Sequence, residues 1–237
     1  MSYLDLFKVY HFQNKFRLGT HRDGGYVVCE LEGNYDCYIS AGVGNEESFT
    51  GEFIRKFNLN SDNSYAFDGT ISSYPIQFTK NISFTSKNIG ICDNDSSTNL
   101  VPLLQKYKNI FLKMDIEGSE FNWLQCIPSY LLNNIKQLVI EFHGVNDDTW
   151  HMKHATKIEC WKKLLTTHLL VHAHGNNEGP RTGAIPDTLE LTYINRSILP
   201  ILPPLNTTKL PIENLDFPNN QSRPDYDLNF YPFTSPS

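Results

Sequence analysis

Between residues 36 and 196, short runs of strand-forming residues alternate with stretches of helical periodicity, and this alternation restricts the fold more than any other feature. The strand candidates are Asp36–Ala41, Ser64–Asp68, Ile82–Thr85, Ile110–Asp115, Gln137–His143, Leu169–His174 and Thr188–Asn195. Each is a Val/Ile/Leu/Phe-rich run bounded by Gly, Asn or Asp, the pattern of a strand buried on both faces. Helices are expected between them. Glu46–Phe57 repeats Phe49, Phe53 and Phe57 every four residues, which makes one apolar face. Asn99–Tyr107 carries Pro102 in its first turn, and Ser119–Cys126 stops before Pro128. Asp148–Thr167 holds Trp150, Ala155, Ile158, Trp161, Leu164 and Leu165 on one side. Strands alternating with helices predict an α/β domain with a mostly parallel sheet and helices on both faces.

The pattern stops at Ser197. Eight prolines punctuate the rest, among apolar anchors such as Leu215-Asp-Phe217 and Leu228-Asn-Phe230. Three segments are expected: an N-terminal lid (1–35), the α/β domain (36–196) and a Pro-rich extension (197–237) wrapping it. The chain is 19% charged with a net charge of −6, and it has no run of Lys and Arg, so nucleic-acid partners are excluded. No apolar segment nears the ~20 residues needed to span a bilayer, and the first sixteen residues lack a signal-peptide core. Cysteines at 29, 37, 92, 126 and 160 are odd in number and make no CxxC pair, which argues against a disulfide framework. A cytoplasmic setting is expected. Oligomeric state is not legible.

In open parallel sheets, ligands bind beyond the carboxyl ends of the strands. After the first strand, Ser40-Ala-Gly42-Val-Gly44 allows a tight turn and close backbone approach. The full phosphate fingerprint is absent. After the second strand, Asp68 precedes Gly69, some twenty-odd residues beyond the glycine turn, where a carboxylate can accept ribose hydroxyls. The turn and this acid favour a nucleoside-bearing cofactor. After the third strand, Asn88 and Ile89 are placed to lie against a base. After the fourth come Asp115, Glu117 and Glu120. A helix dipole explains Glu117 and Glu120. Asp115 ends a buried strand and needs a partner: hydrogen-bond donors, a cation or a metal. After the fifth and sixth strands, Glu141 and His143, then His172 and His174, sit two apart and share a face. Carboxylate plus imidazole suits Mg²⁺, Mn²⁺ or Zn²⁺, and equally a general base with its orienting acid.

The segments RLGTHRDGGYVV (17–28), YISAGVGNEESF (38–49), FDGT (67–70), KMDIEGSEF (113–121), QLVIEFHG (137–144) and LELTY (189–193) occur in this order. Together they resemble the FkbM-like S-adenosylmethionine-dependent methyltransferases, over most of residues 15–196. KxDIEGxE is the most specific part. The resemblance implies a Rossmann-like class I methyltransferase fold, with seven strands and the last antiparallel. It implies S-adenosylmethionine at Gly42 and Gly44, Asp68 on the ribose, and Asp115 near the methionine end or the acceptor hydroxyl. It implies O-methylation of a sugar or other small hydroxylated acceptor. Some related sugar enzymes use a divalent cation. Ser40 stands where many class I enzymes carry an acid, so the contact to the cofactor's amino group passes to Asp23 or Asp115.

A sugar hydroxyl needs a base or a metal to take or acidify its proton. His143 and His174 are the base candidates, with Asp115 also placed at the reaction. Asp115, Glu141 and His143 are the candidate ligands of an Mg²⁺ or Mn²⁺ ion. Asp23, Gly24, Gly25, Ser40, Gly42, Gly44, Asp68, Gly69, Asn88, Ile89 and Asp115 are the expected cofactor contacts. Arg17 and Arg22 are candidates to close over the cofactor carboxylate. The competing readings are a metal-dependent hydrolase using the same acid–His rim, and an inactive binding module.

Overall fold

The computed structural model describes residues 2–146, 148 and 152–236. After a 3-10 turn at Tyr3–Phe7 comes an antiparallel hairpin, β1 (Lys15–Leu18) and β2 (Tyr26–Cys29). Then follow β3 (Cys37–Ala41), α1 (Ser48–Lys56), β4 (Ser64–Phe67), β5 (Ser83–Thr85) and two short strands, β6 (Asn88–Ile89) and β7 (Ser97–Thr98). Next are α2 (Val101–Lys106), β8 (Ile110–Met114), α3 (Glu120–Cys126), α4 (Ser129–Leu132) and β9 (Ile135–His143). The last elements are α5 (His154–Leu165), β10 (His168–Gly175) and β11 (Thr188–Asn195). The main sheet has seven strands in the order β10-β11-β9-β8-β3-β4-β5. β11 runs antiparallel to β9 and β10, and the other neighbours pair in parallel. This is the class I methyltransferase architecture. All seven expected strands form, each within two residues of its expected bounds.

The helices differ more. α5 begins at His154, where the side chain of Asp148 accepts the backbone N–H of His154 at 2.7 Å. Trp150, placed on that helix by periodicity, lies outside the described residues. Pro128 stops α3 as expected but also starts the single turn of α4, because proline suits a helix beginning as well as an end.

Alternation along the strands decides what each face meets. Phe111 of β8 and Val139 of β9 point to the side of α1, where Phe49, Phe53, Tyr35 and Tyr38 form an aromatic cluster under the hairpin. Leu112, Met114, Leu138, Ile140 and Phe142 point the other way, against Trp123 and Trp161 of α3 and α5. The α1 side of these strands therefore carries Lys113 and Asp115, Glu141 and His143, and in register beyond them Glu190 of β11. A polar stripe runs across one face at the carboxyl ends. Gln137 locks the hairpin over that face, bonding the N–H and C=O of Cys29 at 2.7 and 3.0 Å.

Residues 199–236 contain no helix, and their one ladder contact is a bridge from Leu205 to Tyr10. Leu210, Leu228 and Phe233 are nevertheless buried in the main core. No helix among the described residues is long and apolar enough to cross a membrane.

His168, at the start of β10, is fully buried between Thr167 Oγ1 at 2.8 Å and the carbonyl of Ile135 at 2.9 Å. Burial pushes its pKa down to about 4. The folded state thus refuses a proton that the unfolded chain accepts near pH 6.5. The contribution of His168 to stability is complete above pH 6.5 and falls as the pH drops towards 4, by about 3 kcal/mol. In denaturant melts across that range, His168→Gln is expected to lose less stability than the wild type by that amount. Parallel pH profiles would refute this.

Candidate functional site

The chain crosses from one half of the sheet to the other between β3 and β8. There, beyond the carboxyl ends, an open cleft of about 390 Å³ is lined by residues of the glycine turn, the β4 loop, β6, the β8 loop and the hairpin. That volume falls in the range of small-molecule sites. Of the expected cofactor residues, Asp23, Gly24, Gly42, Gly44, Asp68, Gly69, Asn88, Ile89 and Asp115 line it. Gly25 and Ser40 do not. Gly25 packs against the Thr20 carbonyl and the Arg17 side chain, and Ser40 is buried with its hydroxyl on Glu47 Oε1 at 3.0 Å.

Gly42 is required by its surroundings. Its φ is +83°, and an added Cβ would fall 1.7 Å from the backbone oxygen of Asp115. The turn is thus pressed directly against the β8 loop. Asp68 also braces it: one carboxylate oxygen accepts the N–H groups of Val43 and Gly44 at 3.0 and 2.9 Å, and the other accepts from Thr70. Burial opposes the charge on Asp68, but these donors hold its pKa below the usual range.

Beside the glycine turn, Asp115 lies next to Tyr26, whose hydroxyl is 3.3 Å from Asp115 Oδ2 and 3.5 Å from Glu141 Oε2. Asp115 Oδ1 is buried and has no hydrogen-bond partner among the described residues. Burial pushes the Asp115 carboxyl up to about 6, against the pull of Lys113 and His143. Glu141 does not reach the cleft. It is buried, held by Asn176 Nδ2 at 2.6 Å, and burial together with Asp115 and Glu190 drives its pKa well up.

His143 stands one layer back from the cleft. Its Nδ1 is 3.1 Å from Oε1 of the fully buried Glu120, and its Nε2 is 3.5 Å from Glu117 and 3.7 Å from Glu141. Burial would lower its pKa, but the Glu120 hydrogen bond and the surrounding carboxylates raise it. These acids favour the protonated ring, which counts against His143 as a general base. Glu120 is not a surface residue answering a helix dipole. It is the group that orients His143, and it also accepts the N–H groups of Ile116 and Gly118.

Three expectations are corrected. His174 has Glu190 on one ring nitrogen at 2.9 Å and Asp225 on the other at 3.0 Å, so no nitrogen is presented to an acceptor. His172 is likewise buried, against Asp216 at 2.8 Å. Asp115, Glu141 and His143 do not form one ligand set. Ligand atoms of Asp115, Glu117 and His143 come within 4.8 Å of one another, while Glu141 groups with Asp23 and Glu190. Arg17 points its guanidinium at the carbonyls of Thr20, Arg22 and Leu215, and neither it nor Arg22 lines the cleft. Nothing in the sequence marks Tyr26, Lys113, Glu47 and Asn176 as parts of this site. Tyr26 and Lys113 lie inside the matching segments, but nothing in their spacing shows where their side chains end.

Residues 7–176 match the sequence profile of the methyltransferase FkbM domain. No curated protein sequence matches the chain. Among solved structures it is similar to the crystal structure of the N-methyltransferase NodS from Bradyrhizobium japonicum WM9, at 13% identity and a TM-score of 0.40, over 69% of this chain and 87% of that one. That likeness is too distant to carry chemistry across. The family match, by contrast, spans the hairpin, the glycine turn, Asp68, the Asp115 loop and the strands that carry Glu141 and His174. The chain belongs to the FkbM family of methyltransferases, whose methyl donor is S-adenosylmethionine.

Proposed function

We propose that the protein is an O-methyltransferase acting on a hydroxyl of a sugar or glycan-type small molecule. The observation that carries this reading is Asp115: a carboxylate at the cleft floor, against the glycine turn, with one oxygen unpartnered. The cleft suits the donor. Gly42 allows close backbone approach, Asp68 is read at the ribose and Asn88 and Ile89 at the base, and the carboxylates of Asp23, Asp115 and Glu117 complement a sulfonium and an ammonium.

S-adenosylmethionine supplies an electrophilic methyl group. The chain positions the acceptor oxygen in line and handles its proton, and positioning accounts for much of such a rate. Asp115 is the base. With a pKa of about 6 it is ionised at neutral pH and still basic enough to take a proton as the oxygen attacks. Tyr26 positions it through the hydroxyl contact, and His143, held by Glu120 at 3.1 Å, stands behind it. Hydroxyl groups of a sugar match the polar rim of Asp23, Asn45, Asp115 and Glu117.

Two linked measurements test the reading. S-adenosylmethionine or S-adenosylhomocysteine at 100 times its dissociation constant is expected to add about 2.7 kcal/mol of stability in a thermal shift. Labelled donor is expected to transfer its methyl to a hydroxyl among a panel of neutral sugars, with EDTA changing the rate less than about twofold. No shift with either ligand would overturn the reading. A larger EDTA effect, reversed by Mn²⁺, would put a cation at Asp115, Glu117 and His143.

A further inference from the structure

The charge around the cleft is lopsided. Asp23, Glu46, Asp68, Asp115 and Glu117 line it, and Lys113 is the one basic side chain among the described lining residues. The acids suit the cofactor's sulfonium and ammonium. They do nothing for its carboxylate, which needs a donor once removed from water. The usual donors are spent. The N–H groups of Val43 and Gly44 are bound by Asp68, that of Gly42 by the Phe67 carbonyl, and Arg17 is turned onto backbone carbonyls behind the hairpin.

Lys113 is placed differently. It lies on the α1 face of β8, two residues before Asp115, and is 5% exposed. Its Nζ donates to the Gly42 carbonyl at 2.6 Å and is 3.5 Å from Glu47 Oε1. Glu47 is buried and takes further hydrogen bonds from Ser40 Oγ at 3.0 Å and the Tyr74 hydroxyl at 3.1 Å. An ammonium has three N–H groups, and these two neighbours account for two. A buried lysine is costly unless its charge is used. A loose pairing with Glu47 uses it only in part.

We propose that Lys113 receives the carboxylate of the cofactor's amino-acid end, with Glu47 and the Gly42 carbonyl holding its ammonium in place. This rests on the S-adenosylmethionine reading above. It also accounts for Ser40 at the position of the usual acid: Glu47 reaches that serine from seven residues further on and anchors Lys113 there, while contact with the cofactor's amino group falls to the acids opposite.

The test compares S-adenosylmethionine with decarboxylated S-adenosylmethionine, which differ by the carboxylate alone, using calorimetric binding to the full chain. The wild type is expected to prefer the intact ligand by about tenfold to a hundredfold, the range of a charge-assisted hydrogen bond. Lys113→Met should weaken the intact ligand by that factor and leave the decarboxylated one unchanged or tighter, erasing the preference. Because Lys113→Met leaves Glu47 buried without its cation, the pair Lys113→Met with Glu47→Gln is run beside it. Retained binding of the decarboxylated ligand reports an intact fold. Equal weakening of both ligands would overturn the assignment and make Lys113 a brace for the glycine turn, and a preference unchanged by the substitutions would overturn it too. Absence of binding by the wild type to either ligand would instead overturn the cofactor reading, and the assignment with it.

Discussion

Alanine at position 42 is expected to abolish cofactor binding and to cost at least about 3 kcal/mol of stability, in the range of a severe core or backbone defect. Two effects add. The residue sits at φ +83°, where a Cβ costs roughly 1–2 kcal/mol. The Cβ would also fall 1.7 Å from the Asp115 backbone oxygen, and a backbone atom at the end of a central strand cannot swing aside as a side chain can. Relief requires β3 and β8 to separate where Ala41 and Met114 pair. The cleft between the glycine turn and Asp115 would change shape with them. Gly44 is the internal control. Its φ is +55° and nothing lies within 4 Å of its added Cβ, so Gly44→Ala should cost only about 1 kcal/mol. Denaturant melts and thermal shifts with S-adenosylhomocysteine on both variants check this. Similar losses at the two positions would contradict the contact described for Gly42.

That contrast between two glycines two residues apart shows what is legible in a sequence of this kind. The GxG pattern announces a turn, but only the packed structure tells which glycine meets another strand. The sheet itself was readable because each buried strand is a continuous apolar run, and the side of the sheet follows from alternation once one residue is placed. That Asp68 and Asp115 line the cleft follows for the same reason: a carboxylate ending an apolar run has few explanations.

What escaped is long-range. His174 looked like a rim histidine because nothing local partners it. Its partner Asp225 is 51 residues away in a segment without secondary structure, and Asn219 reaches Asp23 across 196 residues. Glu141 and His143 share a face, as their spacing requires, yet they serve different neighbours, because Tyr26 and Asn176 claim the first and Glu120 the second. Glu120 is hard to read for a different reason. A helix dipole is a sufficient account of an acid in a first turn, and only its complete burial shows that it is needed elsewhere.

Asp115→Asn is expected to lower turnover about a thousandfold, within the span that general-base catalysis contributes, while making the protein more stable. The two effects have one cause. Burial raises the Asp115 pKa to about 6 in the folded state, against 3.8 for an ordinary aspartate. The folded state therefore favours the protonated form. The contribution of this one group to stability is greatest below pH 4 and is lost as the pH rises through about 6, so at neutral pH the ionised carboxylate is a liability of about 1–3 kcal/mol. Asparagine keeps the shape and removes the charge, and so should recover much of that amount. It also replaces the carboxylate by an amide, which is too weakly basic to take the acceptor's proton. The wild-type rate should fall about tenfold per pH unit below 6, as protonation silences the base. The residual rate of the asparagine variant should lack that limb. A group kept at the expense of stability is the signature of function over folding. If Asp115→Asn were both less stable and nearly fully active, the carboxylate would be a structural residue, and His143, held by Glu120 behind it, would have to be the base.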